Sequence, residues 1–255
     1  MTMAFKVVIP ARYASTRLPG KPLREIAGKP MIGHVYERAK AAHAEEVVVA
    51  TDDTRILSAV SDLGITAVMT RGDHHSGTER IAEVARLRGW DETTVIVNLQ
   101  GDEPLIPPAY IRDVALALSN QNQAGVATLA VEIHAAEEVF NPNIVKVILN
   151  QAGYALYFSR APIPWDRDQF NSKQCSDKMP YYRHIGIYAY TVGFLQRYIA
   201  WDASAIETVE HLEQLRILWH GEPILVTIEP DAPVAGVDTP EDLLRVEKII
   251  MEQGI

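Results

Sequence analysis

Short apolar runs alternate along the chain with stretches whose apolar positions recur every three to four residues. Residues 4–9 form the first apolar run and read as a buried strand. A helix is predicted over 30–42, with Pro30 in its first turn and Met31, Ile32, Val35 and Tyr36 on one face. Residues 46–50 read as a strand, 54–63 as a helix with Ile56, Leu57 and Val60 on one side, and 65–69 as a strand. A helix ending near Arg88, a β-branched strand over 93–99, a helix over 108–118 and a strand over 126–131 continue the series.

Strand and helix alternating at this spacing predict βαβ units and a mostly parallel sheet. Ligands bind beyond the carboxyl ends of such strands, so the loops that follow them gather on one edge. The rhythm changes after Asn141. Residues 144–149 and 154–159 read as adjacent strands around the turn Asn150-Gln151-Ala152-Gly153, and 184–190 as a further strand. A polar, proline-bearing loop, 160–180, lies between them. An amphipathic helix over 207–220, a strand over 224–228 and a closing helix over 240–251 complete the chain. No internal repeat or long linker interrupts it. The expectation is one domain, 1–255, with a β-rich excursion at about 142–190 that returns to the core.

Composition narrows the function classes. The chain has 255 residues, 47% of them hydrophobic and 22% charged, with a net charge of −9. An acidic balance disfavours nucleic acid as a partner. A single cysteine, Cys175, excludes an intramolecular disulfide and fits a reducing compartment. No apolar run approaches the ~18 residues of a membrane span, and no signal-peptide pattern opens the chain. The expectation is a soluble cytoplasmic protein without membrane insertion.

Against that acidic background the loop after the first strand is a basic island. Arg12, Arg17 and Lys21 lie in it with Pro19-Gly20, an arrangement suited to a polyanion such as a nucleotide triphosphate. No G-x-x-x-x-G-K-[ST] and no G-x-G-x-x-G follows the strand, which disfavours P-loop and dinucleotide-binding proteins. Asp102, in Gln100-Gly101-Asp102-Glu103-Pro104, sits where a carboxylate can hold Mg2+, or can simply open a turn. In Gly236-Val237-Asp238-Thr239-Pro240-Glu241-Asp242, a helix cap explains Thr239, Pro240 and Asp242 but leaves Asp238 over as a second candidate metal ligand. Ser76-Gly77-Thr78-Glu79 matches a capping box, whose helix N-terminus beside Arg71 and Asp73 offers donors to a base or sugar. Glu207, Glu210 and Gln214 share a predicted helix face that is either solvated or ligand-binding. Arg160, His184 and Tyr188 suit an acidic, hydroxylated ligand, although structural hydrogen bonding explains such residues equally well.

Together these motifs resemble those of the 3-deoxy-manno-octulosonate (Kdo) cytidylyltransferases. The resemblance rests on 10–23, 73–80, 100–104, 154–160, 183–188 and 236–242, and runs in order along essentially the whole chain. It implies a Rossmann-like nucleotidyltransferase fold with a mixed, mostly parallel sheet, a β-rich dimerisation extension, a homodimer and Mg2+ dependence. The implied reaction joins CTP and Kdo into CMP-Kdo and pyrophosphate, activating Kdo for lipopolysaccharide biosynthesis. Carried over by motif, Arg12, Ser15, Arg17 and Lys21 surround the triphosphate. Arg71, Asp73, Ser76 and Gln100 lie near the cytidine or its junction with the sugar. Asp102 and Asp238 hold Mg2+ and, with Lys21, form the catalytic set. Arg160, His184, Tyr188, Glu210 and Gln214 contact Kdo. A nucleotidyltransferase for another acid sugar, a glycosyltransferase and a nucleotide sensor are the alternatives.

Overall fold

The computed structural model describes residues 4–15, 18–172, 174–175 and 179–254. The chain opens on β1 (Lys6–Ala11), makes a 3-10 turn at Lys21–Leu23 and forms a small hairpin from β2 (Glu25–Ile26) and β3 (Lys29–Pro30). It then alternates through α1 (Met31–Ala41), β4 (Glu46–Thr51), α2 (Thr54–Asp62), β5 (Ala67–Met69), α3 (Gly77–Arg88), β6 (Val95–Asn98), α4 (Pro108–Ser119) and β7 (Val126–Ile133). The middle of the chain holds α5 (Ala136–Phe140), β8 (Lys146–Leu149), β9 (Ala155–Ser159) and β10 (Tyr181–Thr191). The last part comprises α6 (Val192–Tyr198), α7 (Ala205–Glu210), α8 (Gln214–Trp219), β11 (Ile224–Glu229) and α9 (Pro240–Gln253).

The central strands run in the order β11-β7-β10-β6-β1-β4-β5. β1 is parallel to β4 and β6, β4 to β5, and β7 to β11, so the loops leaving β1 and β6 share one edge. β10 alone in this row is antiparallel to both its neighbours, β6 and β7. The sheet is therefore mixed and mostly parallel, as expected. The excursion returns as an interior strand of the row, β10, and β8 and β9 hang as a hairpin from its N-terminal end.

Continuous apolar strands need cover on both faces. Val7 and Ile9 of β1 pack with Val35 of α1, Ile56 of α2 and Ile111 of α4. Val8, on the opposite face, joins Ile81 of α3, Phe194 of α6 and Leu215 of α8. Each such side chain is shielded from water, a contribution of about 1.5–3 kcal/mol when burial is complete.

Three expectations change. The first strand lies two residues later than the apolar run suggested, which brings Pro10 and Ala11 into the sheet opposite Ala50 and Thr51. β10 is longer than predicted because a register shift between Ile185 and Tyr188 lets it pair along β7 from end to end. The predicted helix over 207–220 is two helices, broken where His211 adopts φ 52°. Glu207, Glu210 and Gln214 therefore do not share a face. Glu207 completes a capping box with Ser204 and forms a two-pronged ion pair with Arg216 at 2.7 and 2.8 Å. Both side chains of that pair are close to nine-tenths buried. Glu207→Ala would strand the Arg216 charge, and urea unfolding should show a loss of about 3 kcal/mol.

Candidate active site

The chain leaves β1 into a loop whose course is set by Tyr13 and Gly20. The Gly20 amide donates to the Tyr13 carbonyl at 3.2 Å, and Gly20 takes φ 67°, a left-handed conformation costly for residues with a side chain. The Arg55 guanidinium lies 3.3 Å above the Tyr13 ring and stacks the loop against α2. Beyond Gly20 the 3-10 turn presents Lys21.

The Lys21 ammonium joins three separate segments. Nζ donates to Asp102 Oδ2 at 2.6 Å, to Asp238 Oδ1 at 3.0 Å and to the Val237 carbonyl at 3.1 Å. Burial opposes the charge, but Asp102 and Asp238 outweigh it and hold the Lys21 pKa above its usual value. The two acidic loops are also tied directly, since the Val237 amide donates to the Asp102 carbonyl at 2.9 Å. Glycine permits this closeness at 236 and the approach of the Asp102 loop to β1 at 101. A Cβ on Gly101 would lie 3.0 Å from the Pro10 carbonyl, and one on Gly236 2.8 Å from the Asp102 carbonyl. Gly236→Ala is expected to push the two carboxylates apart and lower kcat by about 10–100-fold, with an unchanged circular dichroism spectrum.

Glu103 sits behind this cluster. Burial first, then the neighbouring charges of Asp102 and Asp238, push its carboxyl pKa up to about 8. At neutral pH Glu103 is mostly protonated, which leaves Asp102 and Asp238 as the two negative charges facing Lys21. Two carboxylates that converge on one cation can also hold Mg2+, which takes one or two protein carboxylates and completes its shell with water and phosphate oxygens. No group of three or more candidate ligands occurs among the described residues, so phosphate oxygens would have to supply part of that shell.

A cleft of about 440 Å3 opens beside the cluster, lined by Arg12, Ser15, Lys21, Ser76, Gln100, Asp102 and Asp238 among others. Arg12 is aimed by a bond from Nη2 to the His74 carbonyl at 2.9 Å. The N-terminus of α3 faces the same space, with Ser76 as its cap accepting from the Glu79 amide at 3.1 Å. Glu79 returns not to Ser76 but to the His75 amide, so only half of the expected capping box forms. Guanidinium, ammonium and free helix-end N–H groups make this cleft suited to phosphate. Arg17 lies outside the described residues.

Gln100 lines this cleft and also a second cavity of about 250 Å3. His184, Tyr188, Tyr190, Tyr198, Glu213 and Gln214 surround the second space. Tyr188 Oη, Tyr198 Oη and Gln214 Nε2 are buried there without a hydrogen-bond partner among the described residues. Orphaned polar atoms of this kind are costly unless a ligand completes them, and a polyhydroxylated molecule would. Burial pushes the Tyr188 phenol well above its usual pKa, so it stays a neutral donor. Burial also lowers the His184 pKa to about 3, and its Nε2 sits 3.0 Å from Thr128 Oγ1. The unfolded chain takes up this proton near pH 6.5 and the folded one only near 3, so the contribution to stability is present above 6.5 and lost as pH falls. His184→Gln should flatten the acid side of the stability–pH curve, by at most about 1.4 kcal/mol per pH unit, measured by urea unfolding.

Four expected site residues lie outside both cavities. Arg71 and Asp73 pair with each other at the surface, with Arg71 Nε donating to Asp73 Oδ1 at 2.9 Å. Arg71 lines a separate groove between α3 and α6. Glu210 accepts from Ser159 Oγ at 2.6 Å and from the Arg160 amide at 2.9 Å, so both its oxygens are engaged within the protein. Arg160 Nε donates to the Glu210 carbonyl at 2.8 Å, one residue before His211 at the rim of the second cavity. Sequence reasoning missed Glu213, which lines both spaces and is raised in pKa by burial against a bond from Thr78 Oγ1. Its neighbour Gln214 was the available signal.

A cationic cleft at the carboxyl edge of a mostly parallel sheet, with two acidic loops at its mouth, is the arrangement a nucleotidyltransferase needs, and the relatives of the chain are of that class. The cytidylyltransferase family profile matches residues 6–224. The chain is 59% identical over 249 residues to a 3-deoxy-manno-octulosonate cytidylyltransferase of Idiomarina loihiensis, covering 97% of this chain and 98% of that one. It is also similar to a solved CMP:2-keto-3-deoxy-manno-octonic acid synthetase complexed with CTP, with a TM-score of 0.90, 44% identity and coverage of 98% of this chain and 100% of that one. A cytidylyltransferase from Leptospira borgpetersenii shares the fold at a TM-score of 0.63, with 20% identity and coverage of 98% and 87%. The chain belongs to the 3-deoxy-manno-octulosonate cytidylyltransferase family.

Proposed function

We propose that this protein transfers CMP from CTP to Kdo, releasing pyrophosphate and supplying activated Kdo for lipopolysaccharide biosynthesis. The observation that carries the reading is the joining of Lys21, Asp102 and Asp238 at the mouth of a cationic cleft that shares Gln100 and Glu213 with a second, hydroxyl-suited cavity. The triphosphate lies in the first space, near Arg12, Ser15 and the N-terminus of α3. The sugar lies in the second, where Tyr188, Tyr198 and Gln214 complete their hydrogen bonds to its hydroxyls. Its anomeric hydroxyl attacks the α-phosphorus across the shared wall at Gln100, and pyrophosphate leaves on the opposite side.

The protein's part is to position the reactants and to stabilise developing charge, since no covalent intermediate is required. Lys21 and Arg12 hold phosphate oxygens. Asp102 and Asp238 are the residues that would hold Mg2+, which when bound would supply neutralisation of phosphate charge and a lower pKa for a hydroxyl beside it. Arg160 lies outside the second cavity but is anchored at its rim through the Glu210 carbonyl, and from there it would select an acidic sugar by pairing with the carboxylate.

A pyrophosphate-release assay with CTP, Mg2+ and several acid sugars tests the reading. Rapid release with Kdo alone is the expected result. Release with a different acid sugar would reassign the substrate, and tight CTP binding without turnover would favour a sensor.

The working form is a homodimer. Leu156 and Trp165 of the excursion are 58% and 62% exposed, and among the described residues β9 pairs as a strand only with β8, so apolar surface and an open strand edge are left for a second copy. Sedimentation of a Leu156→Glu variant as a monomer is the expected outcome. No helix among the described residues is long and apolar enough to cross a membrane. Cys175, unpaired, fits a cytoplasmic site of action.

A further inference from the structure

Lys146 is fully buried at the start of β8, yet no carboxylate pairs with it. Its ammonium spends all three donors on main-chain carbonyls, those of Asn141 at 2.8 Å, Ile144 at 2.6 Å and Arg160 at 2.7 Å. Burial lowers its pKa, with Glu210 opposing that shift. A buried cation is a costly way to join a turn to a strand end, and a well-packed apolar residue commonly serves stability as well. What Lys146 adds is a fixed position for the three carbonyls it gathers.

One of those carbonyls belongs to Arg160, and the same network controls the rest of that residue. The Arg160 amide is held by Glu210 Oε2, and its Nε donates to the Glu210 carbonyl. Nη1 donates to the Pro142 carbonyl at 3.1 Å, within the 141–144 turn that Lys146 closes. Nη2 makes no hydrogen bond among the described residues. Lys146 also stands opposite Arg183 in β10, and the His184 amide donates to the Val145 carbonyl at 2.9 Å. The network thus sets the guanidinium relative to a strand that lines the second cavity.

We infer that Lys146 is a positioning residue for the acidic end of the sugar: it fixes the Arg160 main chain and the 141–144 turn, leaving one edge of the guanidinium presented to the substrate carboxylate. Glu210 belongs to the same support and acts on the sugar through Arg160. The inference rests on the reading of Arg160 as the carboxylate contact. It adds that the contact is set by a residue that never touches substrate.

The test compares Kdo with its C1 carboxamide, which lacks the carboxylate charge. The wild-type enzyme should prefer Kdo in kcat/KM by on the order of 100-fold. Lys146→Met should shrink that preference by about tenfold, through a higher KM for Kdo, with the KM for CTP unchanged. In an Arg160→Met background, Lys146→Met should have no further effect on the preference. Lys146→Gln is the milder variant if Lys146→Met does not fold. If wild type fails to discriminate, the reading of Arg160 fails. If wild type discriminates but the Lys146 variants keep the full preference, the positioning role is overturned. A parallel rise in both KM values, or failure of both variants to fold, would also overturn it by making Lys146 a stability residue alone.

Discussion

Asp102→Asn is expected to reduce kcat by at least about 10²–10³-fold, with the fold intact. Asparagine keeps an oxygen that can accept from Lys21, so the 2.6 Å contact has a replacement and the loop between β6 and α4 stays in place. The change is in charge. With Glu103 held mostly neutral by burial, Asp102 and Asp238 are the two negative groups that converge on Lys21, and the substitution removes half of that charge. The measurement is kcat across a Mg2+ titration, with the Kd of Mn2+ in the CTP complex as a separate readout. Near-normal turnover at low Mg2+ would overturn the assignment of the metal to Asp102.

Lys21→Ala is expected to weaken CTP binding by about 10–100-fold, measured by calorimetry, in line with the ~1.5–3 kcal/mol of a hydrogen bond to a charged group. Two effects act in the same direction. The triphosphate loses a cation, and it meets Asp102 and Asp238 without the ammonium that partly neutralises them. Lys21 is only 15% exposed, so solvent screens these charges weakly. Unchanged CTP affinity would contradict the placement of the triphosphate beside Lys21.

Much of the architecture was legible because apolar periodicity reports burial directly. The alternation through β7 needed only runs of Val, Ile and Leu and the turns between them. The antiparallel insertion of β10 was not legible, since a buried strand reads the same in either direction. The broken helix after Ser204 escaped for a different reason. Periodicity along 207–220 is helical, but it does not register that Ser159 and the Arg160 amide capture Glu210 or that His211 turns left-handed. Asp238 could be singled out because the cap at Thr239 accounted for Thr239, Pro240 and Asp242 and left Asp238 over. Lys146 gave no such signal: a lysine at a strand end ordinarily reads as solvated, and only the three carbonyls around it show otherwise. Glu103 was equally silent, because its raised pKa depends first on burial and then on two charges, all brought to it by tertiary structure.

The interior place of β10 also governs how the molecule can be made. β6 and β7 follow each other in sequence with only α4 between them, yet they are not neighbours in the sheet, because β10 lies between them. A nascent chain that ends before Tyr181 can build the row β6-β1-β4-β5, but it has no strand to join that row to β7. The two halves of the sheet therefore become one hydrogen-bonded sheet only after the excursion has been synthesised and has returned between them. Pairings this distant in sequence form slowly, and they leave strand edges open until they do. The same late strand brings His184 and Tyr188 to the second cavity, so completing the sheet also completes the lining of that cavity.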